Sequence, residues 1–516
     1  MRAKACALSH TPSGIIRRPT KPASIAHRLQ CRNSASASPG PLPTSTPPLR
    51  HSNLVPARLG TLRAVLLHRP RALDPPTLHQ LAAHMRVFDA DATGRTLMIS
   101  NSAPFCANGA PEPAASHPAS DASALLAALT RTAHAIGTLS TPLAVVMDGL
   151  AADTGLGICV HAPIRIATEH TSICIPRSGL HPAAGLAWFL AKNIDGPAVG
   201  AYLALVGAHL HGMEAVLSGF ATHFVPADRL AAMADALSGL KSADLRAVGA
   251  VVEDFVGNAP SAHEWNSWAI SGDVRNTIDR CFDSLLLTDI VDRLAADKSA
   301  FAAHTLMQIQ SRSPIALNVS AELLRRAPKL DFASYMNLEL RLAWYFTHCV
   351  RDSATETLQW DEVVHDRGNK LSAIFGDTDA NPNDIEASSE YTLYSSKTYK
   401  YYTHRTAVSV PSEDDIRRIV TGDASGAGSF AFTKQELVDW FAGNWGTFLD
   451  DEHLTPISVM DPLMGGSRYM DPNYHEGVSG VQGTKREKWG VRQRVEAVIE
   501  RRCIEKDGYL RWRSSK

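Results

Sequence analysis

Apolar residues along this chain fall into two alternating rhythms. Leu62–Leu67 is a short apolar run bounded by the turn-prone His68-Arg69-Pro70, and it reads as a strand. Thr77–Val87 has helical spacing, and Thr96-Leu97-Met98-Ile99-Ser100 reads as the next strand. Beyond a Pro- and Ser-rich stretch after Pro111, a helix is expected around Ala122–Ile136, then a strand Leu143–Met147 running into Asp148-Gly149. A further strand is expected near Ile164–Ala167. Strand, helix, strand, helix predicts an α/β architecture. From Asp273 to about Leu342 the spacing is mostly helical, with Leu285, Leu286, Ile290 and Leu294 expected on one buried face.

Between Asp352 and Asp471 the rhythm breaks over a stretch too long for a loop in a compact domain. This Asp-, Asn-, Ser- and Thr-rich segment still carries two helix starts. Ser412 stands three before Asp415, ahead of Ile416, Ile419 and Val420. Thr433 stands three before Glu436, ahead of Leu437, Trp440 and Phe441, with Gly443 as a stop. The organisation expected is a leader and linker over 1–57, an α/β core over 58–270 and a helical region over 271–351. An inserted subdomain over 352–471 and a closing segment with a basic extension over 472–516 follow.

No acidic residue precedes Asp74, whereas Arg2, Lys4, Arg17, Arg18, Lys21, Arg28 and Arg32 stand among many Ser, Ala and Pro. That composition predicts a mitochondrial transit peptide and a place in the matrix. Ser34–Pro56 is expected to lack structure, with the folded part starting near Arg58. Overall the charge is balanced, 51 Lys+Arg against 52 Asp+Glu, so any contact with nucleic acid must come from a local patch. Eight scattered cysteines without C-x-x-C argue against a zinc site or a disulfide framework. No apolar stretch is long enough to span a bilayer.

Several segments carry a resemblance. His68-Arg69-Pro70-Arg71-Ala72-Leu73-Asp74 resembles the N-R-P-x-x-L-N opening of crotonase-fold proteins, and Phe105-Cys106-Ala107-Asn108-Gly109-Ala110 their F-C-A-G-G-D. Asp148-Gly149 through Gly157 resembles G-x-x-M-G-G-G-x-G-L. Arg165-Ile166-Ala167-Thr168-Glu169, Gly219-Phe220-Ala221-Thr222-His223-Phe224-Val225, Ser313-Pro314 and Glu339-Leu340-Arg341-Leu342 resemble segments of the hydrolase branch. His475-Glu476-Gly477-Val478 resembles its closing H-E-G-V-R, and Trp489 the tryptophan that follows. Over about Arg58–Phe346 and Asn473–Gly490 the chain thus resembles the 3-hydroxyisobutyryl-CoA hydrolase branch of the enoyl-CoA hydratase (crotonase) superfamily. The resemblance implies a crotonase (ClpP-like) spiral of ββα units followed by a C-terminal helical region, here with a long insertion.

It also implies thioester chemistry, whose requirements this chain does not meet. In the family two backbone N–H groups hold the substrate carbonyl, and glycine lets the backbone approach closely. The first donor corresponds to Ala107; the second falls where this chain reads Asp153-Thr154-Gly155. The family's P-E-T-G is Pro176-Arg177-Ser178-Gly179, and arginine cannot exchange a proton near neutral pH. The second acid, in P-D, aligns with Ala183, and Ala110 replaces the acid of F-C-A-G-G-D. Ala107, Asp153, Thr154, Arg177 and Ala183 therefore mark vestigial positions, with no catalytic residue, cofactor, metal or residual CoA binding expected. A new constellation of Asp153, His161, Arg177 and His181 is the rival reading, and Cys159 reads as a small buried hydrophobe.

A member of this family without turnover serves as a structural component of the small subunit of the mitochondrial ribosome in several eukaryotic lineages. By resemblance, mitochondrial ribosomal proteins and rRNA become the expected partners; a divergent acyl-CoA hydrolase or hydratase of valine breakdown is the alternative. Arg501, Arg502, Arg511, Trp512 and Arg513 at the C-terminus, with Tyr401 and Arg405 in the insertion, are the candidate contacts to RNA or protein. The bland reading of the tail is a helix Arg492–Cys503 packed on its own domain.

Overall fold

Two apolar runs pair at the edge of the main sheet, where β1 (Leu54–Leu59) and β2 (Leu62–Leu67) form an antiparallel hairpin that sets Leu54 opposite Leu67. The computed structural model describes residues 54–67, 74–101, 119–175, 182–348, 375, 391–398, 408–423, 431–445 and 487–513. β1 lies upstream of the start expected at Arg58. Pro56 hid it from the sequence reading, yet an edge strand tolerates a proline because its outward N–H has no ladder partner to lose.

α1 (Pro75–Asp89) opens where the Asp74 side chain accepts from the Thr77 amide at 2.8 Å, with prolines in its first turn where a missing N–H is harmless. β3 (Thr96–Asn101), α2 (Ala119–Gly137), β4 (Leu143–Met147), β5 (Leu150–Ala152), α3 (Asp153–Cys159), β6 (Ile164–Ala167) and β7 (Ser172–Ile175) follow. Next come α4 (Leu186–Ala191), α5 (Pro197–Val206), β8 (Ala208–His211) and β9 (His223–Phe224). The main sheet runs β1-β2-β3-β4-β6-β9 and is parallel from β2 onward; the smaller one runs β5-β7-β8. Successive strands β4, β5, β6 and β7 thus alternate between the two sheets, which is the spiral of ββα units.

Strand periodicity divides the core. Val65, Leu67, Leu97, Ile99, Val145 and Met147 face the side covered by α1 and α2, through Leu81, Met85, Leu129 and Ile136. Their neighbours Ala64, Leu66, Met98, Ala144 and Val146 face the other side. That side is covered by α6 (Leu230–Ser238) and α7 (Leu245–Glu253), through Met233, Leu237, Val248 and Val252. Because both faces are covered, β2, β4 and β6 are buried along their whole length.

The helical region comprises α8 (Gly272–Cys281), α9 (Leu287–Ala296), α10 (Ala300–Gln310), α11 (Pro314–Arg326) and α12 (Phe332–His348). The face expected from Leu285, Leu286, Ile290 and Leu294 is corrected by one register. Leu285 has φ +53° and Leu286 is exposed, so the helix starts at Leu287 and buries Leu287, Ile290 and Leu294. Three consecutive leucines leave that register undefined by spacing alone.

Both helix starts in the insertion form with reciprocal capping boxes: α13 (Glu413–Thr421) on Ser412 and Asp415, and α14 (Lys434–Asn444) on Thr433 and Glu436. α14 runs one residue past Gly443. Ile416, Leu437 and Phe441 join the main core together with Val491, Val495 and Val498 of α15 (Val491–Arg502). A closing hairpin of β10 (Cys503–Lys506) and β11 (Tyr509–Trp512) follows.

Candidate functional site

Of the vestigial pocket positions, Ala183 lies in a described turn ahead of α4. Ala183 and Ala184 are buried, and Ala184 and Gly185 take φ of +58° and +73° in succession. An L-residue in that region costs about 1–2 kcal/mol, so the surroundings must hold it there. They do so from two sides. The His161 ring lies with Nε2 2.8 Å from the Ala184 carbonyl oxygen and tilts against Phe332 at 4.9 Å between ring centres. From α12, the Glu339 carboxyl takes the Gly185 amide on both oxygens at 3.0 Å, and Thr130 of α2 donates to it at 3.3 Å.

Burial governs the charge of both groups. It pushes the Glu339 carboxyl up to about 8, against the opposing pull of the Gly185 amide, so the acid is largely neutral at pH 7. It lowers His161 to about 3, so the ring is neutral as well. A neutral imidazole and a neutral acid, both clamped onto main-chain groups, are positioning residues for the turn. Burial also pushes the Cys159 thiol up, in keeping with a small core side chain rather than a nucleophile.

α3 lies directly against this turn. A Cβ on Gly157 would stand 2.5 Å from the Ala184 Cβ and 3.0 Å from the Ala183 oxygen. Gly157→Ala is therefore expected to destabilise the fold by about 1–3 kcal/mol, an overpacking effect readable as a lowered midpoint in urea. An unchanged midpoint would show that helix and turn do not pack so tightly.

Of the marked positions, Ala183 is thus a buried apolar group beside α3, with no proton to exchange. Asp153 and Thr154 open α3, their side chains lying outside the described residues. Ala107, Arg177, His181, Tyr401 and Arg405 also lie outside them, as do the leader and the His475-Glu476-Gly477-Val478 motif. Of the rival constellation, His161 is turned onto Ala184 and Phe332, while the Asp153 side chain, Arg177 and His181 lie outside the described residues. Among the described residues no group of His, Cys, Asp and Glu could hold a metal ion.

The family-like motifs meet one another as structural ties. Arg165 donates to the carbonyls of Phe220 at 2.7 Å, Ala162 at 2.8 Å and Gly219 at 3.2 Å, joining two of them. Trp489 donates its indole N–H to Gly257 at 3.0 Å and stacks on His223.

The C-terminal basic residues divide. Arg494 is fully buried; its Nη2 lies 2.7 Å from Asp195 Oδ1 and donates to the Ile194 carbonyl at 2.9 Å. Arg501 reaches Asp195 at 3.3 Å and Glu413 at 2.6 Å, and Arg502 pairs with Glu413 and Asp279. Arg275 of α8 completes the cluster, 3.5 Å from Asp195 and 3.0 Å from Glu413. Burial alone would raise the Asp195 and Glu413 carboxyls, but the surrounding guanidinium groups outweigh it and hold both below the usual range.

Arg501 and Arg502, expected contacts to RNA or protein, thus direct their charges to carboxylates of their own chain, the arrangement of a helix packed on its domain. Arg511 and Arg513 are exposed, while Trp512 packs against the main core. Sequence reasoning missed Asp195, Glu413 and Arg275, and named Glu339 only as part of a family-like segment. Asp195, standing between the apolar runs Leu186–Ala191 and Pro197–Val206, was the one available signal.

A model of the family described as enoyl-CoA hydratase/isomerase matches residues 62–358, more than half of the chain. Small ribosomal subunit protein mS47 of Neurospora crassa is 25% identical over 425 residues, covering 74% of this chain and 80% of that protein. The mitochondrial 3-hydroxyisobutyryl-CoA hydrolase of Homo sapiens is 29% identical over 212 residues, covering 41% of this chain and 54% of the hydrolase. The chain therefore spans about half the length of that relative. The crystal structure of a carnitinyl-CoA dehydratase from Mycobacterium thermoresistibile superposes with a TM-score of 0.51 at 23% identity, over 64% of this chain and 98% of that one. This last likeness concerns the fold alone.

Proposed function

This chain belongs to the enoyl-CoA hydratase/isomerase family, and we propose that it is a non-catalytic, structural component of the small subunit of the mitochondrial ribosome. The observation that carries the reading is the reach of the likeness to the ribosomal protein. At 74% of the chain it extends over more residues than the 62–358 family segment holds. An enzyme relative shares the catalytic core; a relative in assembly shares also the added surface.

The site supports the same reading from chemistry. By the resemblance, Ala183 and Arg177 replace carboxyl groups needed for proton exchange, and general acid–base groups each contribute roughly 10²–10⁴-fold. Selection for surface rather than turnover lets a pocket drift while its core persists. A matrix location is supported by the acid-free, Arg- and Ser-rich leader and by the mitochondrial hydrolases among the relatives. Near-neutral net charge favours a peripheral seat bound mainly to ribosomal proteins, with rRNA contacts confined to local patches.

The decisive experiment is sucrose-gradient sedimentation of mitochondrial lysate in moderate salt, following this protein against small- and large-subunit rRNA. Co-migration with the small subunit is expected; sedimentation away from both subunits overturns the proposal. In parallel, the purified chain is expected to release no CoA thiol from 3-hydroxyisobutyryl-CoA above background. Turnover at an enzyme's rate would favour a divergent hydrolase of valine breakdown instead. Thioester hydrolysis restored by Asp153→Gly, Arg177→Glu and Ala183→Asp together would mean that the CoA pocket persists and only the chemistry is gone.

A further inference from the structure

The closing hairpin carries one face that is exposed among the described residues. β10 and β11 pair Cys503 with Trp512, Ile504 with Arg511, Glu505 with Leu510 and Lys506 with Tyr509. The turn between them, Asp507-Gly508, has φ of +57° and +82°, the conformation that matches the right-handed twist of a tight hairpin. Because side chains alternate and directly opposed residues share a face, the pairing sorts them into two sets. Cys503, Leu510 and Trp512 face the protein, where Cys503 and Leu510 are buried and Trp512 packs on the main core. The Leu510 amide also donates to the Phe432 carbonyl at 2.7 Å, fixing the hairpin beside α14.

Ile504, Lys506, Tyr509 and Arg511 form the outer set, and all are exposed, Ile504 at 47% and Tyr509 at 46%. Both charged side chains of that set are cations. Of the hairpin's acids, Glu505 belongs to the inner set and Asp507 to the turn, so neither opposes an anion laid across the outer face. An aromatic ring flanked by a lysine directly opposite it and an arginine two residues on is a stacking platform with phosphate partners. The buried ion cluster under α15 anchors the helix that carries the hairpin, so the platform is presented on a rigid base.

Resting on the ribosomal reading, we propose that the outer face formed by Ile504, Lys506, Tyr509 and Arg511 binds single-stranded RNA. A base stacks on Tyr509 while Lys506 and Arg511 neutralise the phosphates beside it; Ile504 packs against the sugar. This moves the RNA contact away from Arg501, Arg502 and Trp512, which face inward, and onto residues selected by strand alternation.

The test uses the full chain and a fluorescent single-stranded RNA of about twelve mixed nucleotides, a length within the span such surfaces cover. Tyr509→Ala is expected to weaken binding roughly tenfold, while Tyr509→Phe, which keeps the ring, binds as the original does. Lys506→Gln with Arg511→Gln is expected to lower the slope of log affinity against log salt by about 1.4, since each single-strand phosphate contact contributes about 0.7. Arg417→Gln, at a half-buried arginine on α13 paired with Asp414 and Asp423, serves as the control and should leave the slope unchanged. Exposed substitutions spare the fold, which an unchanged melting temperature verifies. RNA binding unaffected by all hairpin variants overturns the proposal. Intact RNA binding with lost co-sedimentation assigns the face to a protein neighbour and also overturns it. Failure of the unmodified protein to co-sediment with the small subunit sinks the ribosomal reading, a separate result.

Discussion

Asp195→Ala is expected to destabilise the protein by about 3–5 kcal/mol, the cost of leaving buried charge without its counter-ion. Arg494, Arg275 and Arg501 all converge on this carboxylate, at 2.7, 3.5 and 3.3 Å, and Asp195 and Arg494 are essentially inaccessible to water. Removing the anion strands guanidinium groups that have nowhere to rehydrate. Arg494→Met should be milder than Asp195→Ala, because it removes a charge rather than exposing several. An apolar core of the same shape is expected to match the ion cluster in stability, and the cluster is expected to act through specificity, fixing how α13 and α15 seat against Asp195 and α8. Urea titration measures the first loss, and limited proteolysis should cut near α13 and α15 before the α/β core. A loss below about 1 kcal/mol, the value of exposed pairs, would mean that water reaches the cluster.

The sign of the pH effect follows from the direction of the shifts. The Asp195 and Glu413 carboxyls are held below their ordinary values of 3.8 and 4.5. Their contribution is complete above those values and fades as pH falls through the depressed ones. The cluster is therefore expected to survive mild acid and give way only in strong acid.

Glu339 acts in the opposite sense, and its removal has the second large effect. With its pKa raised from 4.5 to about 8, the folded protein keeps a proton that the unfolded chain surrenders. Stability is then highest below 4.5, falls as pH rises through the window up to about 8, and levels off above it. Glu339→Gln keeps the shape and an acceptor for the Gly185 amide but has no proton to lose, so its stability should be flatter from pH 5 to pH 8. Glu339→Ala strands the buried Gly185 amide and leaves a void, costing about 2–5 kcal/mol relative to Glu339→Gln, which likewise has no proton to lose. Urea midpoints of the parent and both variants at pH 5, 6.5 and 8 provide the check. Parallel pH profiles for the parent and Glu339→Gln would show that the carboxyl is already hydrated.

Much of the core was legible because its signals are local. Leu62–Leu67, Leu143–Met147 and Ile164–Ala167 appear as strands with the expected bounds, since a parallel strand covered on both faces is apolar nearly throughout, here interrupted only by Arg63 and Arg165. The capping boxes at Ser412 and Thr433 were equally readable, because a hydroxyl and a carboxyl three residues apart answer each other within one turn. β1 was missed because Pro56 argues against a strand unless the strand is known to lie at an edge. The closing hairpin was missed although Asp507-Gly508 is a turn signal, because the basic composition around it drew the reading towards a helix and tail.

The α/β rhythm and the family resemblance, with the expectation that Arg177 and Ala183 replace its proton-exchanging residues, came from residue identity and short spacing alone. Only the tertiary structure decided which charges are surface and which are interior. Arg494 reaches the Ile194 carbonyl across 300 residues of chain, and Arg501 meets Glu413 across 88. An arginine's spacing along a helix carries no information about such distant carboxylates; burial and long-range partners turn Arg501 and Arg502 inward while Lys506 and Arg511 remain in water.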